Sequence, residues 1–244
     1  MNGLAPIRNR RPWVMAMRWD DLAFLHWPVP VAALETRIPN GLQLDTFEGQ
    51  AWIGIVPFCM AGVHARGLPE VPGTNEFLEL NVRTYVTDGT RPGVWFFSLD
   101  CENLLAVRGA RVGFSLPYFD AKMQSLERAS ERGLGFDCSS IRTHRGAPAA
   151  RFRAKYEPSS NVTPSTPGTL EHWLTERYCL YAQRPTGQVI RGEILHQPWP
   201  LQSCKVEVLE NTLCDSLGLK LPTEPTLAHF AKRLEVHAWL PTPI

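Results

Sequence analysis

The 244-residue chain has few lysines and lacks the short spacings typical of metal-binding or redox-active cysteines and histidines. Its six cysteines form no CxxC pair, and its seven histidines show no HxxxH or HExxH spacing. We therefore expect reduced thiols instead of a disulfide framework, and no metal site. Few amines are available for chemistry through a Schiff base, since the only lysines are Lys122, Lys155, Lys205, Lys220 and Lys232.

Other widespread functional motifs are also missing. There is no GxxxxGK phosphate loop, no GxGxxG turn after a strand and no GxSxG nucleophile elbow, so we predict no cofactor. The net charge of +1 and the lack of a basic, aromatic pattern argue against a nucleic-acid partner. No apolar run is long enough for a signal peptide or a membrane span, which predicts a cytoplasmic location and no membrane partner. The sequence leaves open whether the protein is a monomer or a homo-oligomer.

The pattern of short segments predicts a single domain over residues 17–244, preceded by a tail at residues 1–16. Many short strands and a few short helices follow one another without a regular βαβ rhythm, which indicates an α+β fold built mostly from antiparallel strands. Pro57 lies within the strand predicted at 51–58 and indicates an edge position or a bulge. Asn103 is suited to cap a helix that begins at Leu104, whereas segment 120–132 is compatible with a helix or a strand.

The most informative stretch is 75–101, which predicts two antiparallel strands joined by a turn rich in glycine, proline and aspartate. Apolar residues alternate with polar ones in the first strand, so the polar side chains share one face; these are Glu79, Asn81, Arg83 and Tyr85. This row predicts a polar cavity inside a β-rich fold, the alternative being a solvated sheet face. The Cα atoms of Glu79 and Arg83 are expected roughly 13 Å apart, so the two charges need separate partners.

Two further side chains are candidates for the same cavity. Tyr118 either lines it or is a core tyrosine whose hydroxyl group is hydrogen-bonded elsewhere. His196 is either an acid–base group or a structural histidine at the end of a strand. We predict that both contact the ligand together with Asn81 and Tyr85.

Six blocks that span most of the chain carry a family resemblance: HWPVP (26–30), IPNGLQLDTFEGQAWIGIVPF (38–58), FLELNVRTYV (77–86), GVWFFSLD (93–100), LPYFDAKM (116–123) and HQPWPLQ (196–202). In content and order they resemble the YqjF-like proteins, a family defined by domain of unknown function 2071. That family looks like a branch of the acetoacetate decarboxylase-like superfamily. The resemblance implies a double β-sheet arranged as a cone or barrel around a central cavity, with short helices at the periphery.

The resemblance also bears on the chemistry. In the decarboxylases of this superfamily a buried lysine forms a Schiff base with the keto acid, assisted by a glutamate and an arginine. The resemblance implies that Glu79 matches the glutamate, and it identifies no counterpart of the arginine. Where the lysine would follow a proline, residues 116–119 read Leu-Pro-Tyr-Phe, so an aromatic side chain replaces the amine. Lys122, the nearest lysine, is kept as a ligand-binding candidate, and decarboxylation through an imine is not expected.

Three hypotheses for function follow. In the first, the protein is an enzyme (a lyase, hydrolase or isomerase) that acts on a carbonyl compound or small organic acid without a Schiff-base lysine. Glu79 is then the acid–base group, and Arg83 holds an anion. In the second, the same cavity belongs to a non-catalytic small-ligand binding or carrier protein. In the third, the chain is an interaction or scaffold protein with a filled core.

Overall fold

The computed structural model describes residues 11–130 and 133–244. Within these residues the chain forms three short α-helices, α1 (Val31–Leu34), α2 (Leu104–Phe114) and α3 (Leu170–Thr175), and two 3-10 turns, Glu35–Arg37 and Asp215–Leu217. The strands in the same residues are β1 (Met15–Val29), β2 (Gln43–Leu44), β3 (Ala51–Ala65), β4 (Glu76–Thr87), β5 (Pro92–Cys101), β6 (Tyr118–Ser130), β7 (Gly133–Arg142), β8 (Arg151–Pro158), β9 (Cys179–Gln183), β10 (Val189–His196), β11 (Gln202–Asn211), β12 (Leu227–Ala238) and β13 (Thr242–Pro243).

The strands form one mixed sheet that closes on itself at two places. Its order is β13-β10-β9-β5-β6-β7-β8-β11-β12-β1-β3-β4-β2, and β4 also pairs with β5 while β10 also pairs with β12. Strands β12, β1, β3, β4 and β5 are therefore a wall shared by two rings. Strands β6, β7, β8 and β11 complete one ring, and β9 and β10 complete the other. Among the described strands, only β5–β6 and β5–β9 pair in parallel, which confirms the mostly antiparallel α+β fold.

The shared wall explains the strict alternation of β4. Leu80 and Val82 are fully buried in an apolar core with Phe152 and Tyr156, inside the ring that contains β6 to β8. The intervening residues of β4 point to the other side of the wall, into the ring that contains β9 and β10. A strand that separates a filled core from a second interior needs one apolar face, and the other face is free to carry polar groups.

Bulges bend three strands of the wall around the second interior. In β1 the pairing with β3 shifts by one residue between Asp20 and Leu25, next to Asp21 at φ 56°. A second shift lies in β3 at Gly62, with φ 62°, and a third in β5 at Phe97. Each extra residue reverses the alternation and bends its strand. Residues on both sides of a bulge can therefore face the same interior.

Pro57 lies where the pairing of β3 with β1 is interrupted, while it remains in register with Leu80 of β4. Since proline lacks a donor, this is the position in an internal strand that tolerates it. The alternative of an edge position is wrong, because β3 lies between β1 and β4. The predicted bulge is not in β3 itself, since the extra residue at this irregularity belongs to β1, opposite Pro57.

Other local predictions can be compared with the structure. The side chain of Asn103 accepts hydrogen bonds from the amides of Leu105 and Ala106, which confirms it as the N-cap of α2. Residues 120–130 of the segment 120–132 belong to β6, which pairs with β7, and residues 131–132 lie outside the described residues. Residues 1–10 of the predicted tail lie outside the described residues, and Met15 and Ala16 already belong to β1. None of the described helices has the length and apolar character needed to cross a membrane.

Candidate functional site: a cavity with charged and polar groups on one wall

The second ring encloses a cavity of about 440 Å³. Its walls come from the inner faces of β1, β3, β4 and β5, from β10, and from α2, which lies across one end. Most lining side chains are apolar and include Met17, Phe24, Phe58, Met60, Phe77 and Phe96. The polar lining is concentrated on β4 and on the segments next to it in space.

Five of the seven predicted site residues line this cavity, namely Glu79, Asn81, Arg83, Tyr118 and His196. They come from β4, β6 and β10, which are far apart in sequence and are brought together by the closure of the second ring. The structure places the remaining two, Tyr85 and Lys122, elsewhere.

Lys122 does not line the cavity. It is exposed on β6 between Ala121 and Met123, which both pack into the core of the other ring. Because side chains alternate along a strand, Lys122 points away from that core to the solvent. Its role as a ligand-binding residue therefore stays a prediction that the geometry of this cavity does not support.

Tyr85 is fully buried beyond the end of the cavity. Its hydroxyl group is 2.7 Å from His26 Nε2, and its ring contacts the ring of Trp173 at 4.8 Å between centroids. The guanidinium groups of Arg83 and Arg177 lie over this ring, at 5.7 and 4.9 Å from its centroid. Tyr85 thus supports two cations and does not line this cavity, so its role as a ligand contact stays a prediction that the geometry does not support.

Glu79 and Tyr118 form a buried hydrogen-bonded pair. The Tyr118 hydroxyl donates to Glu79 Oε2 at 2.8 Å, and both side chains are shielded from solvent. Burial raises the pKa of Glu79 to about 8, although the hydrogen bond from Tyr118 acts in the opposite direction. Burial, reinforced by Glu79, raises the pKa of Tyr118 well above its usual value. At neutral pH Glu79 is therefore mainly a neutral carboxylic acid, able to donate a proton.

Arg83 is a buried cation without a carboxylate partner. It is 9% exposed, and among the described residues it makes no ion pair. Its Nη2 donates to the carbonyl oxygen of Leu174 at 3.3 Å, and its guanidinium lies 5.3 Å from the ring centroid of Phe24. Glu79, four residues away on β4, does not pair with it, as the strand geometry predicts. A buried charge of this kind is costly unless an anion compensates it.

Arg177 also lines the cavity, although it is not one of the predicted site residues. It follows α3 and is 3% exposed, with Nη1 donating to Asp45 at 2.6 Å and Nε donating to the carbonyl oxygen of Trp173 at 2.7 Å. Burial lowers its pKa, and Asp45 counteracts this effect. No local pattern marks Arg177, because only the packing of α3 against the end of β4 brings it beside Arg83.

His196 presents a free ring nitrogen. Its Nδ1 is 2.7 Å from the carbonyl oxygen of Gln197. Burial lowers the pKa of the imidazole, although backbone hydrogen bonds to Gln197 and Arg177 and the charge of Glu176 act in the opposite direction. The ring is then neutral at neutral pH, with its proton on Nδ1 facing that carbonyl. Nε2 is left as a hydrogen-bond acceptor, and it has no partner within the described part of the chain. This arrangement suits a general base.

Unpartnered donors outnumber unpartnered acceptors among the side chains that line the cavity. Within residues 11–130 and 133–244, the buried donors without a partner are Trp19 Nε1, Arg83 Nε, Arg177 Nη2 and Trp199 Nε1, and the acceptors are Asn81 Oδ1 and His196 Nε2. Buried polar atoms are normally hydrogen-bonded, so the two unpartnered guanidinium donors suit an anionic ligand. All five lysines lie within the described residues, and none lines the cavity.

No group of three or more histidine, cysteine, aspartate or glutamate side chains in the described residues is arranged to hold a metal ion. The cavity instead offers a neutral carboxylic acid, an imidazole acceptor and two guanidinium groups. These groups can bind an anion and transfer protons.

Comparison with known proteins places the chain in a family. The uncharacterized protein YqjF of Bacillus subtilis (strain 168) is 43% identical over 227 residues, or 93% of this chain and 91% of YqjF. The HEPES-bound enduracididine biosynthesis enzyme MppR has a TM-score of 0.67 at 13% identity, over 96% of this chain and 88% of MppR. In complex with pyruvate, MppR has a TM-score of 0.64 at 12% identity, over 97% of this chain and 92% of MppR.

Acetoacetate decarboxylase from Legionella pneumophila has a TM-score of 0.61 at 13% identity, over all of this chain and 96% of the decarboxylase. At these identities the solved structures establish the fold, which is acetoacetate decarboxylase-like. The model of domain of unknown function 2071, an uncharacterized conserved protein, matches residues 16–235. The resemblance seen in the sequence blocks is thereby confirmed, and the chain belongs to the family of domain of unknown function 2071.

Proposed function

We propose that this protein binds a small organic acid or carbonyl compound in its cavity and acts on it by acid–base chemistry without an imine intermediate. The observation that carries the proposal is Arg83, a buried guanidinium that lines the cavity and has no carboxylate partner among the described residues. An anionic ligand would compensate this charge and accept hydrogen bonds from the unpartnered donors nearby.

Glu79 and His196 are the proposed proton-transfer groups. Glu79 is protonated at neutral pH because burial raises its pKa to about 8, so it acts as a general acid. His196 is neutral, and its free Nε2 acts as a general base. Tyr118 positions the Glu79 carboxyl group through its hydrogen bond. An acid and a base in one cavity are the requirement for moving a proton next to a carbonyl group, which lyases and isomerases do.

Two findings on related folds support the class of ligand. MppR was solved with pyruvate bound, and the Legionella protein is an acetoacetate decarboxylase. In this chain the lack of a lining lysine supports a reaction that does not pass through an imine, since the imine needs a buried amine.

A non-catalytic binding or carrier protein is the second candidate. The apolar character of most of the lining favours it, because burial of apolar surface alone gives affinity without chemistry. The open volume beside Glu79 does not favour a scaffold with a filled core.

Ligand binding is tested with purified full-length protein in a thermal-shift screen of pyruvate, acetoacetate and the matched neutral amides. Carboxylates are expected to raise the melting temperature of the wild-type protein. They should have the same effect on the control variant Arg145→Met, which removes an exposed arginine, and no effect on Arg83→Met. An equal response of Arg83→Met and wild type would show that the anion does not bind at Arg83.

Catalysis is tested by turnover of the ligands that bind. Glu79→Gln is expected to keep binding and to lose turnover, and unchanged turnover in this variant would remove Glu79 from the mechanism. Conversion of no ligand by the wild-type protein would favour the carrier. Borohydride treatment with a keto acid is expected to leave the protein mass unchanged, whereas a covalent adduct would contradict the imine-free chemistry.

A further inference from the structure

We infer that the ligand is an amphipathic monocarboxylic acid, with its carboxylate at Arg83 and Arg177 and an apolar tail of roughly eight to twelve carbon atoms that extends toward α2. This inference rests on the proposed function for the anion site and adds the size and polarity of the rest of the molecule. It follows from three features of the cavity: the position of its charges, the direction in which it opens, and its volume.

The charged groups lie at one end. Along β4 the lining residues run from Phe77, opposite Met60 of β3, to Arg83, opposite Gly54. Six residues of strand correspond to about 20 Å. Arg177 joins Arg83 at the far end, where both are nearly inaccessible to solvent.

The opposite end is apolar and opens to solvent. Val71 and Leu105, which line it, are 44% and 66% exposed. Two lining side chains at this end carry polar atoms. The Thr74 hydroxyl donates to the carbonyl oxygen of Val71 at 2.8 Å and so needs no ligand. The indole Nε1 of Trp19, which pairs with Met60, has no partner within the described residues. A ligand that enters here with its charge first therefore reaches the arginines while its apolar part stays among apolar side chains.

The middle of the cavity is compatible with such a tail. Glu79 is the only carboxylate among the described lining residues, and it is neutral at neutral pH and bonded to Tyr118. The side chains next to it on the adjacent strand β3 include Phe58 and Met60. An apolar chain can pass this region without leaving a charge unsolvated.

The volume exceeds the needs of a small keto acid. An engineered cavity of about 150 Å³ holds benzene, so a cavity of about 440 Å³ has room for roughly three times as many atoms, or about 15 to 18 non-hydrogen atoms. A molecule the size of pyruvate would fill only about a third of it and leave the apolar end in contact with water. A tail that covers the apolar end removes that surface from water and adds binding free energy that a molecule the size of pyruvate cannot provide.

The test measures the dissociation constants of butyrate, hexanoate, octanoate, decanoate and dodecanoate, with octanamide as the neutral counterpart of octanoate. Tryptophan fluorescence is a suitable readout, since Trp19 and Trp199 line the cavity. Affinity is expected to rise about fourfold per methylene group and to level off near dodecanoate. Octanoate should bind at least tenfold more tightly than octanamide, and Arg83→Met should abolish this difference.

A pair of variants of α2 locates the tail. Ala110 lines the cavity, whereas Val112 is 87% exposed and does not. Ala110→Phe is expected to weaken the binding of decanoate at least tenfold and to leave the affinity for butyrate unchanged. Val112→Phe, which adds the same ring on the outer side, should change neither.

The outcomes separate this inference from the proposed function. If affinity is independent of chain length but Arg83→Met abolishes it, the tail is excluded and the anion site remains. If octanamide binds as tightly as octanoate and Arg83→Met has no effect, the anion site fails, and the amphipathic acid fails with it. If none of the acids binds, or if Ala110→Phe and Val112→Phe behave alike, the inference is overturned.

Discussion

Replacement of Glu79 by glutamine tests whether the central carboxyl group is protonated in the folded protein. Its pKa is about 8 in the folded state against an ordinary value of 4.5, and each pKa unit corresponds to about 1.4 kcal/mol. Between these values the folded state binds a proton that the unfolded state has released, so rising pH favours unfolding. The stability associated with protonated Glu79 is fully present below pH 4.5 and is lost as the pH rises through 8.

Over the full range the loss amounts to about 5 kcal/mol, of which about 4 kcal/mol falls between pH 5 and pH 9. Glutamine does not titrate, has nearly the same shape and can still accept a hydrogen bond from Tyr118. We therefore expect that, between pH 5 and pH 9, the free energy of unfolding of Glu79→Gln rises by about 4 kcal/mol relative to that of the wild type.

Urea denaturation of both proteins at pH 5, 7 and 9 measures this difference directly. Glu235→Gln is the matched control, because Glu235 is exposed on β12, and its difference from the wild type should stay constant. A constant difference for Glu79→Gln as well would mean that Glu79 is ionised in the folded protein at neutral pH. The acid role assigned to it would then be refuted.

Three further substitutions test how the fold holds the cavity. Gly93→Ala would place a Cβ atom 2.6 Å from Cys179 Sγ and 2.7 Å from the Cys179 carbonyl oxygen. We therefore expect the free energy of unfolding, measured by urea denaturation, to fall by about 1–3 kcal/mol. An unchanged denaturation midpoint would contradict this close approach of β5 and β9. Asn103→Ala removes the N-cap of α2, with an expected cost of about 1 kcal/mol and faster amide exchange in α2, whereas unaltered exchange would show that the cap is dispensable. Tyr85→Phe leaves His26 Nε2 buried without its partner at 2.7 Å, with an expected loss of about 1–3 kcal/mol by urea denaturation; a neutral effect would show that His26 is satisfied in another way.

Features that depend on neighbouring residues could be predicted from the sequence. The N-cap at Asn103, the interrupted pairing at Pro57 and the alternation of β4 all follow from local rules about donors and side-chain direction. The alternation also indicated which side chains of β4 share one face, and Glu79, Asn81 and Arg83 do line the cavity. Their roles in ligand binding and catalysis stay predictions.

Features that depend on where strands end and cross in space could not be predicted from the sequence. Tyr85 is two residues from Arg83 and is on the same face of β4. It nevertheless lies beyond the cavity beneath two guanidinium groups, because the packing of α3 closes that end. Lys122 is close in sequence to Tyr118 but lies on the opposite side of its strand from the neighbouring core residues. Arg177 carries no local signal at all.

By itself, the sequence determined the two-faced strand at the centre of the protein, since a period of two is a property of the extended backbone. It also shows that residues 116–119, where the family resemblance places the Schiff-base lysine, contain no lysine. Only the tertiary structure decided whether the polar face of β4 borders an enclosed cavity or bulk solvent. The sheet closes a second time through β10 and β12, and this closure converts a polar row into one wall of a cavity. The raised pKa of Glu79 and the unpaired charge of Arg83 are consequences of that enclosure, since both depend on the removal of water.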